Sequence, residues 1–195
     1  MKIVAALVLA LFFLAVAVTP KRWKADGRHF TLPNTVLLAG SIVFLALGTG
    51  PFMRWVGGAV VFNYLVALAI GRARLAAASA SRPGPLPEAL LTLGVTGNVV
   101  LLGVSKYALP LPDLFADRGF AVPQLFAPLG LTFFACHALS YLADVARGDA
   151  PAQASPIRAS LYLLCLPLLC AGPLARYSDM SPQLVQRRAT LAAFA

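Results

Sequence analysis

The sequence predicts an all-α fold, a polytopic bundle of transmembrane helices, and three observations predict it. Composition comes first: of 195 residues, 59% are hydrophobic and only 12% charged, with a mean hydropathy of +0.80. An ordinary soluble domain is about 45–50% apolar and about 25% charged. A chain of this length can bury one soluble core, but the polar residues for its outer shell are missing. The second observation is segregation of charge. Residues 3–20, 29–53, 55–71, 89–105, 119–143 and 159–175 contain no Asp, Glu, Lys or Arg. Each run can hold one bilayer-spanning helix, which needs about 17–25 mostly apolar residues. The third is that the cations gather in alternate loops.

The runs define six hydrophobic segments, at residues 3–19, 35–52, 56–71, 88–105, 120–146 and 158–175. Together they form one membrane domain over residues 1–195, with membrane lipid as its partner and no soluble domain boundary. The first segment also fits a cleavable signal peptide: Lys2, an apolar run and the triplet Ala15-Val16-Ala17. The longest polar linker, residues 72–87, is rich in Ala, Ser, Arg and Pro and reads as a flexible cytoplasmic loop.

The net charge of +9 does not point to nucleic acid. Lys21, Arg22, Lys24 and Arg28 fall in the first loop, and Arg72, Arg74 and Arg82 in the third. Loops two spans apart share a side. The second loop has only Arg54, and the fourth sets Lys106 and Arg118 against Asp113 and Asp117. This is the positive-inside pattern, and it predicts an outside N-terminus, with Lys2 as a weak dissenter. No basic stripe interleaved with aromatics offers base stacking.

Cys136, Cys165 and Cys170 lie in apolar segments without a C-x-x-C pair, and His29 and His137 are the only histidines. No metal site is expected from them. Cys165 and Cys170 point about 140° apart on a helix, so packing is their expected role. His29, beside Trp23 and a basic cluster, reads as an interfacial residue.

The fifth segment carries a polar face. His137, Tyr141 and Asp144 follow at i, i+4 and i+7 and share one side of a helix. Ser140 flanks them, and Arg147 stands three residues after Asp144, within pairing reach. Ionisable groups at membrane depth face protein or a water-filled cavity. Two roles fit the stripe: knitting helices together, or lining a substrate path. Asp144 is expected to pair with Arg147, Arg176 or both. In the sixth segment Pro167, Gly172 and Pro173 interrupt the apolar run, and Arg176-Tyr177 follow. Proline removes a backbone donor and kinks a helix. A full crossing would also put Arg176, Arg187 and Arg188 outside, against the charge rule. This segment is therefore expected to be broken or re-entrant.

These residues carry a resemblance. Leu129-Gly130-Leu131-Thr132-Phe133-Phe134, then His137-Ala138-Leu139-Ser140-Tyr141-Leu142-Ala143-Asp144-Val145, then Arg147-Gly148 resemble the run GISFFTFHAISYLVDVYRG of membrane-bound O-acyltransferases. The group they resemble takes part in bacterial alginate O-acetylation. Residues 166–177, LPLLCAGPLARY, are similar to that group's FPQLVAGPIVRY, and Ser181-Pro182-Gln183-Leu184 to its LPQL. Weaker echoes lie at Asn34, Ser41, Phe44, Asn63-Tyr64-Leu65, Asn98 and Lys106-Tyr107. The order agrees from the first segment to about Arg188, which favours a retained first helix. Departures are Ala143 and Ala146 for larger residues, and Leu166 for the aromatic before the proline.

The resemblance implies a ring of helices around a tunnel in a bacterial inner membrane. An acyl thioester, acetyl-CoA or another, approaches from the cytoplasm and a polysaccharide hydroxyl from outside. A buried histidine acts as general base, nearby dipoles hold the oxyanion, and periplasmic O-acetyltransferase partners receive the acetyl group. No bound cofactor is expected. The family's histidine lies downstream of AGPIVRY, where this chain has none; His137 matches a packing or tunnel-lining position. The sequence therefore assigns no catalytic residue, and His137, Ser140, Tyr141, Asp144, Arg147 and Arg176 stand as substrate-path or structural groups. Three expectations follow: a truncated acyltransferase inactive alone, one half of a split enzyme with a second polypeptide supplying the rest, or a non-catalytic scaffold or transporter subunit.

Overall fold

The computed structural model describes residues 31–49, 52–79, 84–107, 131–165 and 176–185. The first hydrophobic segment, His29, residues 120–130 of the fifth and residues 166–175 of the sixth, with Cys170 and its prolines, lie outside them. The described chain is helical: α1 (Thr31–Thr49), α2 (Met53–Ser79), α3 (Leu86–Tyr107), α4 (Leu131–Arg147), α5 (Pro156–Leu164) and α6 (Tyr177–Val185). α2, α3 and α4 pack against one another; α5 lies on α1, α2 and α4, and α6 on α4 and α5.

Two of these helices, over Met53–Ala78 and Leu86–Ser105, are long and apolar enough to cross a membrane. Their outward residues Trp55, Val61, Leu65, Leu93, Val99 and Val100 are exposed large hydrophobics. In a soluble protein that surface would be unfavourable; against lipid tails it costs nothing, and helix association there depends on packing and hydrogen bonds. Both features act between α2 and α3. Asn63 Nδ2 donates to Asn98 Oδ1 at 3.0 Å, and Asn98 Nδ2 donates back to Asn63 Oδ1 at 2.8 Å. Each amide gives its second N–H to the carbonyl four residues earlier, Ala59 and Gly94 respectively, at 2.8 Å. Every donor of this buried pair is used. Gly94 also admits Leu142 of α4, whose Cδ1 would lie only 2.5 Å from a Cβ at that position.

The linker at residues 72–87 corrects the sequence reading. Helix α2 continues to Ser79, so Arg72, Arg74 and the alanines that follow are helical rather than a flexible loop. Ala, Arg and Leu are strong helix formers, and the non-helical Gly84 and Pro85 come only afterwards. Charge marked the end of the apolar stretch, not the end of the helix.

The sixth segment is also not one long helix in its described part. α5 opens with Ser155 at the N-cap and Pro156 in the first turn, where a missing N–H is harmless. It ends after nine residues, with Cys165 extended at φ −61°, ψ 109°. Nine residues rise about 14 Å, less than half of a bilayer's roughly 30 Å core. By Tyr177 the chain has returned to the level of the α4–α5 turn: Tyr177 Oη donates to the Pro151 carbonyl at 3.1 Å. That bond ties the start of α6 to the α4–α5 turn.

Candidate functional site

The polar face of α4 sits where α4, α5 and α6 meet. A glycine shapes that corner. Gly148 has φ 87°, a left-handed conformation that suits Gly and strains other residues. It allows two bonds that close the helix end: Asp149 N–H donates to the Asp144 carbonyl at 3.0 Å, and Gly148 N–H to the Val145 carbonyl at 3.2 Å. This is the Schellman pattern. The chain turns there and carries Pro151, Gln153 and Ala154 back beside the helix. Tyr64 Oη of α2 fastens the turn through the Ala154 carbonyl at 2.9 Å.

Asp144 is the anchor of the corner. Its carboxylate is buried, and Oδ2 accepts the Ser178 N–H at 2.9 Å. Its Oδ1 lies 4.0 Å from Arg176 Nη2, and the Arg176 side chain is 59% exposed. The backbone bond is short and shielded while the ion pair is long and wet, so the first carries more of the hold. Of the two partners expected for Asp144, Arg176 takes the place. Arg147 is exposed and makes no ion pair with Asp144 among the described residues. A residue three positions on can reach, but the chain turns at Gly148 and brings Arg176 to the carboxylate.

Ser140 Oγ accepts the Tyr177 N–H at 3.3 Å, and Tyr141 Oη accepts the Gln153 N–H at 3.2 Å. Above them three buried tyrosines stack. Tyr177 lies 4.5 Å from Tyr141 and 5.1 Å from Tyr162 between ring centroids, both edge-to-face. Burial raises the Tyr177 phenol, which lies beyond the apolar segments, above its ordinary value of 10.0, so it stays a neutral donor to Pro151.

His137 is different. Its Nδ1 is 2.8 Å from the Phe133 carbonyl. A carbonyl only accepts, so the proton sits on Nδ1 and the Nε2 lone pair is left over. That Nε2 is buried and has no hydrogen-bond partner among the described residues. Its ring meets the edge of Tyr162 at 5.5 Å.

The structure therefore brings His137, Ser140, Tyr141, Asp144 and Arg176 to one buried corner and leaves Arg147 outside it. The polar atoms of Ser140, Tyr141 and Asp144 are engaged in cross-links between elements. Neither described cavity, about 270 Å³ beside α2 and α3 and about 510 Å³ at the ends of α2 and α4, is lined by a stripe residue. Knitting is the role their geometry supports; His137 alone presents an unused acceptor. Sequence reasoning missed Tyr162, a phenol in an apolar helix, although such a tyrosine signals a buried polar partner. Arg74 was read only as a topogenic charge, yet its Nη1 donates to the Val145 carbonyl at 3.0 Å and ties α2 to the end of α4. Of the cysteines, Cys165 is buried and Cys136 only half-buried.

No family model matches the chain, and no solved structure matches it. Curated proteins do. A probable alginate O-acetylase of Azotobacter vinelandii is 32% identical over 97% of this chain, and 36% of that protein is covered. A probable alginate O-acetylase of Pseudomonas aeruginosa is 33% identical over 83% of the chain, covering 31% of that protein. The chain belongs to the membrane-bound O-acyltransferase family. It spans about a third of the length of the relatives it matches. A peptidoglycan O-acetyltransferase of Helicobacter pylori, 28% identical over 82% of the chain, is a further O-acyltransferase relative. In this member the described end of the second motif run, Arg176 and Tyr177, lies against the first. α4 supplies Ser140 and Asp144, and the start of α6 supplies Tyr177 and Ser178 to them.

Proposed function

We propose that this chain builds the first part of a membrane O-acetyltransferase that moves acetyl from a cytoplasmic thioester to an extracytoplasmic polysaccharide hydroxyl. The observation that carries the reading is similarity over 97% of the chain to one alginate O-acetylase. Acetyl-CoA is the proposed donor and alginate the proposed acceptor. The base that takes the hydroxyl proton as oxygen attacks the thioester carbonyl is assigned to the family's downstream histidine, brought by further sequence or a second polypeptide. The thiolate then leaves toward the cytoplasm, and periplasmic partners take the product onward. In this reading the chain is multi-pass in a bacterial inner membrane with its N-terminus periplasmic. Arg72, Arg74, Arg147 and Arg176 then share the cytoplasmic end, as the charge rule requires. The α4–α6 corner holds one wall of the path in place, and no residue of this chain is proposed as catalytic.

The test is complementation. A strain lacking its alginate O-acetylase receives this chain, the remaining two thirds of the Azotobacter vinelandii relative, or both as separate polypeptides. Acetylated alginate is expected only from the pair. Acetylation by this chain alone would overturn the assignment of the base to a downstream segment. No acetylation from the pair, with both present in the membrane, would count against the acetyl-transfer reading.

A further inference from the structure

A groove opens where α2 and α4 both end. Its volume is about 510 Å³, and it runs between the last turns of α2 and the turn after α4. Leu68, Leu75, Ala78 and Val145 give it apolar walls, Arg72 and Arg74 give it charge, and no Asp or Glu among the described residues lines it. Two guanidinium groups beside an apolar wall suit one class of ligand, an amphiphile carrying phosphate. We propose that this groove binds the phosphate of such an amphiphile, with the apolar part of the ligand along Leu68 and Leu75.

The guanidinium of Arg74 is already held in place. Nη1 donates to the Val145 carbonyl at 3.0 Å, and the group packs over Gly148, where any Cβ would collide with it. A guanidinium has five N–H donors, and this bond uses one. A group ordered before binding loses less entropy when the ligand arrives. Arg72, exposed at the mouth, adds a second cation to the lining. The groove touches Val145 and Gly148, so its occupant lies beside the helix end that carries Asp144.

The phosphate has two sources. One is the headgroup of an anionic membrane lipid; the other is the nucleotide part of a thioester carrier such as coenzyme A. Placing this end at the cytoplasmic face rests on the proposed function, whereas the chemistry of the groove does not.

The experiment uses the full 195-residue chain in phosphatidylcholine nanodiscs. Coenzyme A binding from solution is measured by calorimetry, and retention of doped phosphatidylglycerol by native mass spectrometry. Arg72→Gln is expected to weaken the probe that binds by about tenfold, the loss of one charge-assisted contact. Ala78→Trp, which fills the groove without touching charge, is expected to weaken it as much. Arg147→Gln, at the same end but outside the groove, is expected to stay within about twofold of the parent. Binding of coenzyme A alone assigns the nucleotide source, and of phosphatidylglycerol alone the lipid source. The proposal is overturned if neither probe binds, if Arg72→Gln and Ala78→Trp bind like the parent, or if Arg147→Gln weakens binding as much as Arg72→Gln. Acetylation in the complementation assay is read separately, so binding without acetylation tells against the acyltransferase reading and leaves the groove standing.

Discussion

The α2–α3 pair and the α4–α6 corner solve the same problem by different means. α2 and α3 are apolar over their middle turns, with charge only toward their ends, and a reciprocal amide pair, Asn63 with Asn98, links them inside. Their outer residues face away from the protein. The α4–α6 corner buries a carboxylate, a histidine and three tyrosines within a few turns. In lipid, apolar surface gives helices no reason to associate, so a pair of plain helices needs only a small polar lock. α5 ends after nine residues with Cys165 extended, so the backbone beside the corner is not one long helix with all its bonds internal, and exposed backbone is not tolerated in lipid. The corner supplies partners to that backbone: Ser140 to Tyr177, Asp144 to Ser178 and Tyr141 to Gln153.

Substitutions can break this comparison, and the largest effect is expected at Tyr177. The ring is fully buried against Tyr141 and Tyr162. Tyr177→Ala should cost about 3–5 kcal/mol, as large aromatic truncations do, read by steric trapping in bicelles. An effect below about 1 kcal/mol would show that the corner is not what fastens the returning chain.

Asp144→Ala should cost about 2–4 kcal/mol, because it strips a buried acceptor from the Ser178 N–H and leaves Arg176 unpaired. Asp144→Asn keeps an acceptor for Ser178 and should recover more than half of that loss. Equal losses for the two variants would mean that charge, not the backbone bond, does the holding. In the α2–α3 pair, Asn63→Ala should cost about 1–3 kcal/mol by stranding Asn98. A double-mutant cycle on the two asparagines should give about 0.6–1.7 kcal/mol of coupling; no coupling would remove the lock from the argument. Arg176→Gln should change stability least, by under about 1 kcal/mol, since its pair to Asp144 is long and the side chain mostly exposed. A loss matching that of Asp144→Ala would overturn the ranking of the two contacts.

Much of the fold was legible because membrane helices announce themselves by composition. Segments 35–52, 56–71 and 88–105 fall within or close to α1, α2 and α3. What failed were helix ends. The Ala- and Arg-rich stretch to Ser79 stays helical since a helix stops where caps and turn residues appear, not where apolarity stops. The His137–Asp144 stripe was legible from 3.6-residue periodicity alone, whereas the prolines expected to break the sixth segment lie outside the described residues. Tyr162 and the second duty of Arg74 were not legible. Their partners are Tyr177 and the carbonyl of Val145, distant in sequence, and periodicity speaks only about neighbours on one helix.

The sequence by itself determined that this is a helical membrane protein, which face of α4 is polar, and which family the chain resembles. Each follows from local composition, local spacing or ordered motifs. Only the tertiary structure decided that Asp144 pairs with Arg176 and not Arg147, and that the start of α6 is fastened to α4. It also showed that Ser140, Tyr141 and Asp144 accept backbone N–H groups from outside α4. The reason is the same in each case. These outcomes depend on where the turn at Gly148 sends the chain, and a turn fixes contacts between residues that the sequence keeps far apart.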